Sequence, residues 1–178
     1  MSPANSATTS EWWFLGVHVT ELTVPQEAVV VAEAVLPEGA SPPLHAHADL
    51  DDSFYVLDGT MVVRCGREVT VAGPGAWIRF PRQVPHTFRV MSSHARVLIV
   101  HASRTFIDAV HAIGSPGSAD RPMSTPGPAP DVLRRVMAEH GMRTVGPSME
   151  EVEARSWLEA LGRAPAGGRD QDRDGSRP

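Results

Sequence analysis

Two histidines, His45 and His47, stand two residues apart in the chain. Residues at this spacing in a β-strand project from the same face, so both imidazoles can reach one ligand. Asp52 shares an alternating pattern with Phe54 in the next apolar run, which could bring a carboxylate oxygen opposite the two rings. A third histidine, His86, opens a later apolar run. Three neutral imidazoles and one carboxylate suit one divalent ion of Fe, Mn, Ni, Co, Cu or Zn, and they leave coordination positions open for substrate or O₂.

The amino-acid composition indicates that any metal or acid–base chemistry depends on histidine and carboxylate side chains. The chain of 178 residues has 16 basic residues, all of them arginine, 21 acidic residues and a net charge of −5. The lack of lysine excludes Schiff-base chemistry and a phosphate-loop lysine. The single cysteine, Cys65, excludes an intramolecular disulfide framework and a multi-cysteine zinc site.

The same composition limits the kinds of molecule that this protein is expected to bind. The acidic balance and the absence of a basic run argue against nucleic-acid binding. No apolar window of about 18 residues predicts a membrane span, and residues 1–10 do not resemble a signal peptide. We therefore expect a cytoplasmic protein that binds a small-molecule substrate.

Short runs rich in Val, Phe, Trp and Ile, separated by turn residues, predict an all-β sandwich or barrel. These runs are Trp12–Thr20, Ala28–Leu36, Phe54–Leu57, Met61–Cys65, Glu68–Ala72, Trp77–Phe80, His86–Val90 and Arg96–His101. Asp58-Gly59 between two of them predicts a hairpin turn.

After residue 101 the apolar pattern changes to a helical period. It predicts helices over Arg104–Ile113, Asp131–His140 and Ser148–Leu161, with a Pro/Gly-rich connection over 114–130. The predicted organisation is a flexible N-terminus over 1–11, a β-barrel over 12–102, helices and linker over 103–161 that pack on the barrel or on a partner subunit, and a disordered tail over 162–178.

The spacing of two segments resembles the two motifs of the cupin superfamily. The first segment supplies, at the family's spacing, Gly39, His45, His47, Asp52 and Gly59. The second supplies Gly75, Pro81 and His86, with fifteen residues between Gly59 and Gly75. This chain departs from the family pattern at three places: Asp52 stands for Glu, Gln83 for Gly and Val90 for Asn.

The resemblance implies a double-stranded β-helix, the cupin jelly-roll barrel, followed by C-terminal helices. It implies metal ligation by His45, His47, Asp52 and His86. Asp49 and Asp51 are neighbouring alternatives to Asp52, but the alternation from Phe54 favours Asp52.

A weaker resemblance, in the Pro-rich linker and the C-terminal part, is to quercetin-dioxygenase-like single-domain cupins. It implies a homodimeric oxygenase. The apolar side chains expected in the barrel suit a small aromatic, enolic or polyketide-like substrate, and we expect Asp52 to be the catalytic base. Side chains expected to line its pocket are Phe54, Val56, Ile78, Phe80, Phe88 and His101. The alternatives are a non-oxidative cyclase, isomerase, dehydratase or decarboxylase of natural-product biosynthesis, and a non-catalytic small-molecule-binding cupin. We assign no role to four histidines expected on the surface or on helices: His18, His94, His111 and His140.

Overall fold

The structure is a computed structural model that describes residues 9–23, 29–120 and 128–162. Within them the strands are β1 Ser10–Phe14, β2 Val17–Glu21, β3 Val30–Pro37, β4 Pro43–His47, β5 Asp52–Asp58, β6 Met61–Cys65, β7 Glu68–Ala72, β8 Trp77–Phe80, β9 His86–Val90, β10 His94–His101, β11 Ser115–Pro116 and β12 Met142–Ser148. The helices are α1 Thr105–Ile113, α2 Pro130–Glu139 and α3 Glu151–Gly162.

The strands form two antiparallel sheets, which confirms the predicted all-β jelly-roll barrel with C-terminal helices. The seven-stranded sheet has the order β11-β1-β2-β3-β10-β5-β8, and the five-stranded sheet has the order β12-β4-β9-β6-β7. Alternation along the strands buries one face of each sheet: in β5, Asp52, Phe54 and Val56 are buried while Tyr55 is exposed. The facing sides of the sheets enclose an apolar core, which includes Phe54, Val56, Met61, Val63, Ile78, Phe80, Phe88, Val90, Val97 and Ile99. Two further buried clusters of the described residues join strands to the C-terminal helices.

Two turns differ from the sequence prediction. The run Trp12–Thr20 is two strands, because Leu15 and Gly16 adopt φ of 52° and 81° and form a two-residue hairpin loop. The hairpin predicted at Asp58-Gly59 is wrong, since β5 and β6 belong to different sheets. Gly59 is nevertheless required there: its φ is 87°, and a Cβ would overlap the backbone of β10.

The segment after residue 101 contains strands as well as helices. β12 pairs with β4, and β11 pairs with β1, although the sequence predicted no strand in this part. α3 packs against β6 and β7, and α1 packs against β1 and α2. The N-terminal segment predicted to be flexible contributes Ser10 and Glu11 to β1. Residues 1–8, and residues 163–178 of the predicted tail, lie outside the described residues.

A buried carboxylate anchors α1 to the seven-stranded sheet. Glu21, at the end of β2, accepts a hydrogen bond from Arg104 Nη2 at 2.9 Å and lies 3.2 Å from His111 Nε2. Only 6% of Glu21 is exposed, and a buried charge of this kind is stable only when it is paired. The cluster therefore fixes the helix that follows β10.

None of the helices in the described part of the chain is both long enough and apolar enough to cross a membrane.

Candidate metal centre

Three histidines converge because two neighbouring strands carry them. His45 and His47 lie on one face of β4, as their spacing predicts, and His86 is the first residue of β9. His45 and His86 are direct cross-strand partners. One ring nitrogen from each of the three residues lies within 4.8 Å of the others. We call these three residues the histidine cluster.

Backbone carbonyls orient two of these rings. His45 Nδ1 lies 2.7 Å from the carbonyl oxygen of Pro43, and His86 Nδ1 lies 2.9 Å from that of Val84. With Nδ1–H as the donor in each bond, Nε2 keeps a free lone pair, as metal-binding imidazoles require. Nε2 of His47 and of His86 is buried without a hydrogen-bond partner among the described residues.

The donor set of the histidine cluster therefore fits a divalent transition metal. Buried polar atoms are normally paired, and an unpaired one costs about 1–3 kcal/mol. A bound cation would satisfy the unpaired nitrogens together, because imidazole is a ligand for each of the metals that the sequence suggests.

Burial keeps these imidazoles neutral. Desolvation lowers the pKa of His47 to about 4, against the partly opposing charge of Asp52, and the other histidines lower it further. Desolvation likewise lowers the pKa of His45 and of His86. Because a metal competes with protons for these nitrogens, neutral rings at neutral pH are ready to bind it.

Asp52 approaches the histidine cluster from the opposite sheet. Its Oδ1 lies 2.5 Å from His101 Nε2, and its Oδ2 lies 3.8 Å from His47 Nε2. Burial by itself raises the pKa of Asp52, but the hydrogen bond from His101 and the nearby histidines bring it below its ordinary value. Asp52 does not belong to the group of mutually close ligand atoms, and its place as a fourth ligand stays a prediction.

The two alternative aspartates lie elsewhere. Asp51 accepts hydrogen bonds from Arg79 Nη2 at 2.7 Å and from the backbone and side chain of Arg82. The bond from Arg79, followed by those from Arg82, lowers the pKa of the Asp51 carboxyl group. Asp49 is exposed. The alternation that favoured Asp52 therefore identified the one aspartate of the three that is buried.

Two departures from the family motif have visible structural consequences. Gln83, in the place of Gly, has a φ of 63°, and its backbone N–H donates to the carbonyl oxygen of His47 at 2.7 Å. This bond ties the turn before β9 to the end of β4. Val90, in the place of Asn, is 1% exposed and packs in the apolar core.

The side chains expected to line a pocket are buried, and one of them packs directly on the cluster. Phe80 stacks on His86 with ring centroids 4.4 Å apart, and it contacts Phe54 edge to face at 5.2 Å. The full set is buried: Phe54, Val56, Ile78, Phe80, Phe88 and His101. Packing within the core accounts for this burial, so their contact with substrate stays a prediction.

Two histidines differ from expectation. His101, predicted to line the pocket, is the hydrogen-bond partner of Asp52. The alternation of β10 places it on the inward face, but only the strand pairing reveals its partner. His18, predicted to lie on the surface or on a helix, is buried. Its Nε2 lies 3.2 Å from Glu11, and Trp13 packs against its ring.

The other histidines without an assigned role do not join the cluster. His94 Nε2 lies 3.1 Å from Asp58, and His111 contacts Glu21. His140 follows the end of α2.

Comparison with known proteins identifies the domain that holds this site. Residues 32–101 match the family model described as the cupin domain. No curated protein matches the chain.

Three solved structures are similar to parts of the chain. The polyketide cyclase RemF from Streptomyces resistomycificus is 22% identical, with 57% of this chain and 78% of that chain covered and a TM-score of 0.47. TT1209 from Thermus thermophilus is 30% identical, with 47% and 81% covered and a TM-score of 0.41. An RmlC-like cupin from Shewanella frigidimarina is 19% identical, with 55% and 88% covered and a TM-score of 0.49.

The matched segment contains every residue of the histidine cluster, together with Asp52 and His101. The narrower resemblance to quercetin-dioxygenase-like cupins stays a prediction. Through residues 32–101, this chain belongs to the cupin superfamily.

Proposed function

We propose that this protein is a metal-dependent cupin enzyme whose histidine cluster holds one divalent transition metal. The observation that carries the proposal is the convergence of three buried imidazoles, two of which have a buried nitrogen without a hydrogen-bond partner among the described residues. When bound, such a metal supplies Lewis acidity and, if it is redox-active, a means of using O₂.

Within this class we propose an oxygenase that acts on a small aromatic, enolic or polyketide-like substrate. The ring of Phe80 stacks on His86, and the ring of Phe54 contacts Phe80 edge to face; these aromatic surfaces favour a flat, apolar substrate body. The histidines are 2–6% exposed, so little bulk water reaches the cluster. Exclusion of water strengthens the electrostatic interactions within a site and protects reactive species from side reactions.

Asp52 is the base in this proposal. Its Oδ2 faces the cluster. The carboxyl pKa is held below its ordinary value, so Asp52 is ionised at neutral pH and has a lone pair to accept the proton of a substrate hydroxyl. Removal of that proton creates an enolate or phenolate, which is electron-rich and reacts with electrophiles.

The buried Asp52–His101 pair also supports a second candidate, a non-oxidative cyclase, isomerase, dehydratase or decarboxylase. Such reactions consume no oxidant, and each needs a group that takes a proton from the substrate or delivers one to it. A carboxylate hydrogen-bonded to an imidazole in a buried site can accept a proton and return it.

Metal content tests the class. Elemental analysis of freshly purified protein should find about one divalent transition metal per chain, and the double variant His45→Ala/His86→Ala should hold none. His94→Ala, at a half-exposed histidine outside the cluster, is the matched control and should keep the metal. Full occupancy in the double variant would overturn the ligand assignment.

Oxygen dependence separates the two candidates. With a panel of phenols and enolic polyketides, we expect O₂ uptake that matches substrate loss and stops under anaerobic conditions. Unchanged anaerobic turnover would overturn the oxygenase and favour the non-oxidative candidate. Stoichiometric metal without turnover of any panel member would favour a non-catalytic binding protein.

A further inference from the structure

The buried pair of Asp52 and His101 lies across the barrel from the histidine cluster. Asp52 and His101 are direct partners in the antiparallel pairing of β5 with β10, so the seven-stranded sheet places them side by side. The cluster stands on β4 and β9 of the five-stranded sheet. The ligands and the carboxylate are therefore held by different sheets.

The two oxygens of Asp52 have different surroundings. Oδ1 is in hydrogen-bond contact with His101 Nε2 at 2.5 Å, whereas Oδ2 lies 3.8 Å from His47 Nε2, beyond hydrogen-bond distance. Of the two oxygens, only Oδ2 therefore faces the histidine cluster without a hydrogen bond to His101. A carboxylate pinned through one oxygen has less freedom to move toward a cation than a free one.

His101 is itself fixed in place. It is 1% exposed, and the ring of Phe106 from α1 contacts it edge to face with centroids 5.5 Å apart. Its Nδ1 is buried without a hydrogen-bond partner among the described residues, so within that part of the chain the ring is hydrogen-bonded through Nε2, to Asp52. The proton of that bond lies on Nε2 when Asp52 is ionised.

We propose that His101 is a positioning residue that holds the Asp52 carboxylate outside the set of metal ligands, so that the metal is bound by three histidines and Asp52 keeps Oδ2 free as a base. This inference rests on the proposed function, because it takes the histidine cluster as the metal site. It differs from the four-ligand arrangement that the family resemblance implies for Asp52.

A carboxylate bound to a cation has a lone pair engaged and is a weaker base. Held beside the metal by His101, Asp52 keeps that lone pair for a substrate proton. The short side chain of aspartate suits this arrangement, since it reaches one methylene less than the glutamate usual in the family.

Co²⁺ alone, titrated into the metal-free full-length protein and followed by its visible absorption, tests the inference without substrate. Asp52→Asn should bind Co²⁺ within about threefold of the wild type and with the same spectrum. His101→Leu removes the hydrogen bond that holds Asp52. The affinity of this variant for Co²⁺ should therefore rise by about tenfold, and the visible spectrum of its bound Co²⁺ should change. Adding Asp52→Asn to His101→Leu should restore the wild-type spectrum.

His101→Gln is the conservative control, because its amide N–H can still donate to Asp52, and it should keep the wild-type spectrum. Loss of Co²⁺ affinity by more than about tenfold in Asp52→Asn would overturn the inference, since Asp52 would then be a ligand. An unchanged spectrum in folded His101→Leu would also overturn it.

A metal-free measurement covers the case in which His101→Leu does not fold. In proton NMR of the ¹⁵N-histidine-labelled protein, a far-downfield His101 Nε2–H signal should be present and should shift strongly upfield in Asp52→Asn. Its absence from the wild type would overturn the inference. Failure of the wild type to bind Co²⁺ would instead overturn the proposed function, and this inference with it.

Discussion

Acid should destabilise the metal-free protein over the pH range in which histidines titrate. Native His47 takes up its proton only near pH 4, whereas in the unfolded chain its pKa has the ordinary value of 6.5. Between these values the unfolded state binds more protons, so the free energy of unfolding rises with pH and falls as the solution is acidified. The difference of 2.5 pH units corresponds to about 3 kcal/mol for His47. His45 and His86 add to it in the same direction, because their pKa values are lowered as well.

The assay is urea unfolding of chelator-treated protein at intervals between pH 4 and pH 8. We expect the free energy of unfolding to rise by about 3 kcal/mol or more between pH 4 and pH 6.5. His47→Gln should lose a large part of this dependence, and His94→Gln should serve as the control for the substitution itself. A wild-type free energy that does not change across this range would refute the reasoning, because the cluster would then not be buried in its neutral form.

Three substitutions and one control test the packing, the buried charge and the conformation of a turn through urea unfolding. Gly59→Ala should lower the free energy of unfolding by about 3 kcal/mol or more, because its φ is 87° and a Cβ would overlap the backbone of β10; Gly73→Ala, with nothing within 4 Å, should change it by less than about 1 kcal/mol. Arg104→Met should lower it by about 2 kcal/mol, because the buried carboxylate of Glu21 loses its closest cation. Gln83→Gly should raise it by up to about 1 kcal/mol, because a φ of 63° is disfavoured for a residue with a Cβ.

Each of these has an outcome that contradicts it. Equal losses at the two glycines would mean that the backbone of β10 does not approach Gly59 as described. A midpoint unchanged by Arg104→Met would mean that the Glu21 cluster does not hold α1. Destabilisation by Gln83→Gly would mean that the glutamine side chain, and not its backbone conformation, governs this turn.

The sequence could predict the part of the site that depends on local spacing. Two histidines that are two residues apart in a strand share a face whatever the rest of the fold does. The common face of His45 and His47 could therefore be predicted from period-two alternation alone. The same alternation predicted that Asp52, among three neighbouring aspartates, points inward. The position of His86 followed from the family motif.

Features that depend on pairing between distant segments could not be predicted locally. Asp58-Gly59 carries a genuine turn signal, but a turn signal does not say whether the next strand joins the same sheet or the opposite one. β12 contains Gly146 and Pro147, and it forms a strand only where β4 offers an edge. His101 meets Asp52 only because β5 and β10 pair in that register.

The central claim, that three histidines hold a transition metal, is tested most directly by the X-ray absorption spectrum of the metal in freshly purified protein. The structure predicts the scattering pattern of three imidazoles, bound through nitrogens at about 2.0–2.2 Å. Replacement of His45 and His86 by alanine should abolish the signal, and His94→Ala should leave it unchanged. A spectrum with fewer than three imidazoles, or with a sulfur ligand, would contradict the account.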